Sequence, residues 1–155
     1  MTDYIYDSTV ELELEKSGIY ASITRGTSMR PLLKTGRDVV LLKKCTIEPK
    51  RFDVVLYRTP EGKYLLHRII KVREAEFIIR GDNTFTKEHV AKDRILAMLT
   101  DYNRKGKRRS TSNLGFRIYS RVWNLIYPVR YVIHKALSLA RKVYHFIFRR
   151  NKKGC

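Results

Sequence analysis

The chain has 155 residues, enough for one domain around one core, and a formal net charge of +18. Its two cysteines, Cys45 and Cys155, are too far apart in sequence to suggest a disulfide framework, and no apolar run reaches the roughly 18 to 20 residues a membrane-crossing helix needs. The charge is divided: residues 1–102 hold 18 basic and 15 acidic side chains, whereas 103–155 hold 15 basic ones and no Asp or Glu, so an ordinary domain carries a cationic tail suited to a polyanion.

Residues 1–17 carry Asp3, Asp7, Glu11, Glu13 and Glu15 and lack the basic start and apolar centre of a secretory signal, which together with the cysteine usage points to a reducing, cytoplasmic setting. Within this segment, 7–16 read as a short helix capped by Asp7 or Ser8 with Val10 and Leu14 on one face, or equally, from the alternation of Glu and Leu, as a strand. Residues 18–102 are short β-branched and aromatic runs broken by turn residues, the pattern of a mainly β domain. Strands are predicted at 20–24, 38–42, 53–58, 64–72, 77–80 and 95–100, with Pro60-Glu61-Gly62-Lys63 as a hairpin turn. The polar, basic stretch 103–116 reads as a flexible linker. From 117 to 155 the tail is amphipathic and helical: apolar residues recur at 118, 122, 125, 126, 129, 132, 133, 136 and onward, while Arg117, Arg121, Lys135, Lys142 and Arg149 take the opposite side. Pro128 divides or kinks that stretch.

Three places could carry chemistry. Gly26-Thr27-Ser28-Met29-Arg30-Pro31 follows a predicted strand, and Pro31 suits the start of a short helix through Leu32 and Leu33, so Ser28 is presented at a bend with backbone amides near it. His67 lies in the apolar strand Leu65-Leu66-His67-Arg68-Ile69-Ile70, and an imidazole there can take the proton of a serine hydroxyl and later return it to a leaving amine, as a general base for a serine requires. Arg68 points to the other face as a surface or ion-pair residue. The turn Gly81-Asp82-Asn83 ends a further strand, and Asp82 could orient His67 or simply cap its own loop. The four histidines, His67, His89, His134 and His145, are scattered without metal-ligand spacing, so neither metal nor cofactor is expected.

Taken in order, Ser28-Met29-Arg30-Pro31, Asp53-Val54-Val55-Leu56-Tyr57, His67-Arg68-Ile69-Ile70 and Gly81-Asp82-Asn83 resemble the boxes of the type I signal peptidases and the LexA-type self-cleaving repressors. The similarity spans about residues 18–100 and is nearest to the endoplasmic-reticulum and archaeal kind, which use His rather than Lys as base. It implies a signal-peptidase-like β domain, Ser28 as nucleophile, His67 as base, and a site loop containing Thr27, Met29 and Pro31. In the endoplasmic-reticulum kind a further Asp lies six residues beyond the aspartate of the last box; here Glu88 takes that place. The third member of the triad is therefore Asp82 or Glu88, with Asp93 an outsider. Gly26 stands where the family often carries an oxyanion-stabilising Ser, leaving that task to backbone amides and Thr27.

The resemblance implies a serine endopeptidase that cleaves an extended peptide or protein substrate. The tail adds a location. A basic amphipathic helix with Trp123, Tyr127, Tyr131, Tyr144 and Phe148 has the composition of helices that lie in an anionic membrane interface, so residues 117–150 are expected to hold the enzyme peripherally at a membrane. Nucleic acid is a weaker partner, because no DNA- or RNA-reading module accompanies the charge. The rival is a catalytically inactive, membrane-associated binding protein on the same fold, to which Gly26 and Glu88 give weight.

Overall fold

The structure, a computed structural model, describes residues 9–151, with side chains described within 10–144. Two compact units divide the chain, residues 1–121 and 122–155.

The first unit opens with helix α1 (Thr9–Ser17), which buries Val10 and Leu14 one turn apart and settles the choice between helix and strand. The expected caps Asp7 and Ser8 lie outside the described residues. Gly18, with φ of 71°, ends the helix and donates its N–H to the Leu14 carbonyl at 3.0 Å. Eight antiparallel strands follow: β1 (Ile19–Ile23), β2 (Val39–Lys44), β3 (Val54–Arg58), β4 (Tyr64–Val72), β5 (Glu76–Arg80), β6 (Glu88–Ala91), β7 (Ile95–Arg104) and β8 (Lys107–Ser110). Their order across the sheet is β1-β2-β7-β3-β4-β5-β6, with β8 paired to the end of β7, so β1 and β6 are the outer members of that path. Alternation along the strands separates two apolar clusters. Val54, Leu56 and Leu66 join Met29, Leu32, Leu33 and Val10 in one, and Val55, Tyr57, Leu65, Ile69, Phe77, Ile79 and Val90 form the other.

The fold is mixed α/β: an N-terminal helix, an eight-strand antiparallel sheet and two C-terminal helices. The expectation of a mainly β chain holds for 18–102 but understates the helices. The linker expected at 103–116 is corrected as well. Its first half is the β7–β8 hairpin, turned at Lys105-Gly106 where both φ values are positive (54° and 76°), and its last residues begin helix α2 (Leu114–Leu125). A strand as charged as Lys-Arg-Arg-Ser forms because Arg108, Arg109 and their neighbours point into solvent while the backbone completes the ladder. The turn at Pro60–Lys63 is as expected, with Gly62 at φ of 79° and Thr59 N–H bonded to the Lys63 carbonyl at 2.8 Å.

In the second unit, the last residues of α2 are followed by α3 (Tyr127–Asn151). The break falls at Ile126, and Pro128 occupies the first turn of α3, where its missing N–H leaves no internal bond unmade. Along α3, Val129, Val132, Ile133, Leu137 and Val143 form one exposed apolar face, and Arg130, Lys135, Arg141 and Lys142 the other. Arg130 stacks on the Trp123 ring at 3.8 Å. No described helix is long and apolar enough to cross a membrane.

Candidate active site

The site begins where β1 runs out. Thr24 closes the strand by donating its N–H and its hydroxyl to the Asp38 carbonyl, at 2.9 and 3.0 Å. Asp38, fully buried, accepts the Lys34 N–H at 2.8 Å and binds Arg37 through both oxygens, which pins the far end of the loop. Burial disfavours the Asp38 charge, but Arg37 and the Lys34 amide outweigh it and hold the carboxyl below its ordinary range. Between these anchors, 26–32 is a run of bends and turns with a cis Arg30–Pro31 bond, and the predicted short helix amounts to one closed turn, Leu33 N–H to the Met29 carbonyl. Met29 points into the core, Thr27 and Pro31 are exposed, and Ser28 is 5% exposed.

Strand β4 brings His67 to this loop. Its Nε2 lies 3.0 Å from Ser28 Oγ. Its Nδ1 faces two groups, Glu88 Oε1 at 3.1 Å and the Tyr57 hydroxyl at 3.0 Å. The Tyr57 proton is committed to Glu88 Oε2 at 2.5 Å, so the phenol oxygen and the carboxylate both act as acceptors toward Nδ1. That arrangement places the imidazole proton on Nδ1 and leaves the Nε2 lone pair toward the serine hydroxyl, the tautomer in which imidazole takes a proton from Ser28. Burial opposes the Glu88 charge, yet the hydrogen bonds from His67 and Tyr57 prevail and draw its carboxyl below the ordinary value. Burial, then the neighbouring carboxylate, drives Tyr57 far upward, so it stays a neutral donor.

Asp82 is not at the histidine. It forms a bidentate pair with Arg68, Nε to Oδ1 at 2.7 Å and Nη2 to Oδ2 at 2.8 Å, with both side chains almost fully buried. Of the two candidates for the third member, the structure therefore puts Glu88 beside His67 and gives Asp82 to Arg68; Asp93 lies in the 3-10 turn Lys92–Arg94. Arg68 is correspondingly a buried ion-pair residue, not a surface one. Asp82 still serves the serine loop through its neighbours. The Asn83 N–H donates to the Ser28 carbonyl at 2.6 Å and its amide group to the Thr27 carbonyl at 3.2 Å. Gly81 lies so close that a Cβ there would meet the Ser28 carbonyl oxygen at 2.8 Å.

Sequence reasoning missed Tyr57. Its signal was the register: Val55 pairs with His67, so Tyr57, two residues on, shares the histidine's face. Two hollows flank the site. A small one, about 20 Å³, is walled by Thr24, Arg25, Gly26, Met29, Leu33, Val40 and Leu66 beside the serine loop. A larger cleft of about 790 Å³ opens on the far side of Tyr57 and Glu88, between the β3–β4 hairpin and β6. No family model matches the chain, and no curated protein matches it.

Proposed function

We propose that this chain is a serine endopeptidase of the signal-peptidase kind, acting at an anionic membrane surface. The observation that carries the reading is the continuous line Ser28 Oγ, His67 Nε2, His67 Nδ1, Glu88, with each gap at 3.0 to 3.1 Å. In the first half-reaction Ser28 Oγ bonds to the scissile carbonyl carbon and its proton passes to His67 Nε2. The imidazolium is held by Glu88 and Tyr57. As the tetrahedral intermediate collapses, the C–N bond breaks and the same proton goes to the leaving amine. Water then adds to the acyl carbon, its proton goes to Nε2, and the C–O bond to Ser28 breaks as that proton returns to Oγ. Backbone N–H groups of the turn around Ser28, with Thr27, are the donors assigned to the oxyanion.

An extended peptide is the substrate class this supports, because β1 is an outer strand that leads straight into the serine loop and offers backbone pairing. The small, mostly apolar hollow beside Met29 and Leu33 suits a small apolar side chain of such a peptide. The cationic, apolar-faced α3 supports a peripheral hold on anionic lipid. One observation favours the rival, a membrane-bound binding protein without turnover: Ser28 exposes only 5% of its surface.

The test is cleavage of a mixed peptide library by the purified full chain with anionic liposomes, read by mass spectrometry beside Ser28→Ala and His67→Ala. Cleavage by the wild type alone is expected. Equal processing by Ser28→Ala would sink the peptidase reading, and liposome binding without cleavage by any form would establish the rival.

A further inference from the structure

The inner side of α2 reaches the buried pair behind the serine loop. The Tyr119 hydroxyl donates to Asp82 Oδ2 at 3.0 Å. Ser120 Oγ accepts from Arg68 Nη1 at 2.6 Å while donating to the Phe116 carbonyl at 2.8 Å. The rings of Phe116 and Tyr119 lie 5.3 and 5.6 Å from the Arg68 guanidinium. Asp82 in turn sits between Gly81 and Asn83, the two residues that fix the Ser28 carbonyl by close packing and by a 2.6 Å hydrogen bond. A chain of short contacts therefore runs from α2 to the backbone of the candidate nucleophile.

We infer that Tyr119 and Ser120 are positioning residues for Ser28. They hold Asp82 and Arg68, these hold the 81–83 turn, and the turn sets where Ser28 Oγ lies relative to His67. The inference rests on the reading of Ser28 as nucleophile and adds a helix to the site that the sheet alone does not supply. The outer side of the same helix exposes Leu114 and Ile118 beside Arg117 and Arg121, so the element that carries an apolar, cationic surface also holds the nucleophile's support.

The physical warrant is that the Ser28 to His67 distance must be kept within a fraction of an ångström for proton transfer, and hydroxyl contacts behind a loop are what remove its freedom. Tyr119→Phe deletes one hydroxyl and no ring; Ser120→Ala deletes the other. For each, in the full chain with liposomes, a fall of about tenfold in kcat with KM within about twofold is expected. Independently of turnover, hydrogen exchange followed by NMR should show the Asn83 amide losing about tenfold in protection while the Leu56 and Val55 amides of the central sheet keep theirs.

Unchanged Asn83 protection in both variants overturns the inference whatever kcat does. So does a loss of protection spread equally over the central strands, which is general destabilisation. If the wild type cleaves nothing, the peptidase reading falls by itself, and selective loss at Asn83 still upholds α2 as the support of the Ser28 loop.

Discussion

Removing Arg68 alone should be among the most damaging single changes in the sheet. In Arg68→Met the Asp82 carboxylate, 2% exposed, loses its bidentate partner and keeps the Tyr119 hydroxyl, while the Phe52 carbonyl and Ser120 Oγ each lose a donor at 2.9 and 2.6 Å. Breaking a buried pair from one side costs about 3 to 5 kcal/mol, because the remaining carboxylate is still held away from water but has lost the guanidinium that balanced its charge. For a chain of this size that is a fall in Tm on the order of 10 °C. The double variant Arg68→Met/Asp82→Leu removes both charges and fills the space, and should recover most of the loss, to within about 1 to 2 kcal/mol of wild type. Urea unfolding of the four proteins followed by circular dichroism yields the coupling directly, and a term of about 2 kcal/mol or more is expected for residues in contact. The double variant should nevertheless cleave slowly, since the 81–83 turn then lacks its anchor. Single losses below about 1 kcal/mol that simply add in the double variant would refute the account of a tightly coupled buried pair.

Other expectations follow from the site and the core. Glu88→Gln should lower kcat by about two to four powers of ten, because the amide favours the wrong imidazole tautomer and gives no charge to the imidazolium; an unchanged rate removes Glu88 from the triad. Tyr57→Phe frees Glu88 Oε2 of its short hydrogen bond, so the Glu88 carboxyl should titrate higher in a carboxyl-resolved NMR titration, with a stability loss of about 1 kcal/mol. The Glu88 value lies below its unfolded value near 4.5, so the stability it contributes is fully present above that pH and disappears as pH falls through the lower folded value. Acid unfolding of Glu88→Gln should accordingly be less steep below about pH 4.5 than that of the wild type, and identical slopes would contradict the assignment. Leu66→Ala, one residue before the histidine and on the opposite face, should cost about 2 to 4 kcal/mol, whereas Ser28→Ala should cost little; comparable losses in both would mean that Ser28 is a structural residue.

Much of the sheet was legible because its central strands are dense in Val, Ile, Leu and Tyr and are punctuated by Gly and Pro. What escaped was short or charged. Strand β6 is four residues, Glu-His-Val-Ala, too brief for alternation to stand out, and it exists because Phe77, Ile78 and Ile79 offer it a ladder. Strand β8 has no apolar residue at all, and only the Lys105-Gly106 turn hinted at it. These are tertiary gains that a local pattern does not carry.

The choice between Asp82 and Glu88 turns on strand parity. His67 and Arg68 are neighbours in β4 and point to opposite faces, so whichever acid belongs to one cannot reach the other. Arg68 pairs with Arg80 across β4 and β5, and Asp82, two residues beyond Arg80, keeps the same side; it falls to the arginine. Ile79 pairs with Ile69, which shares the histidine's face, and Glu88 pairs with Ile79; it falls to the histidine. The order of motifs along the chain carries none of this, because two acids six residues apart on a strand, a turn and a second strand can lie on either side of the sheet. Two arginines side by side on one inner face, at 68 and 80, also demand an acid there, and a carboxylate spent on that demand is not free to serve a base. The same geometry that denies Asp82 to His67 is what lets it tie the serine loop to the helix behind it.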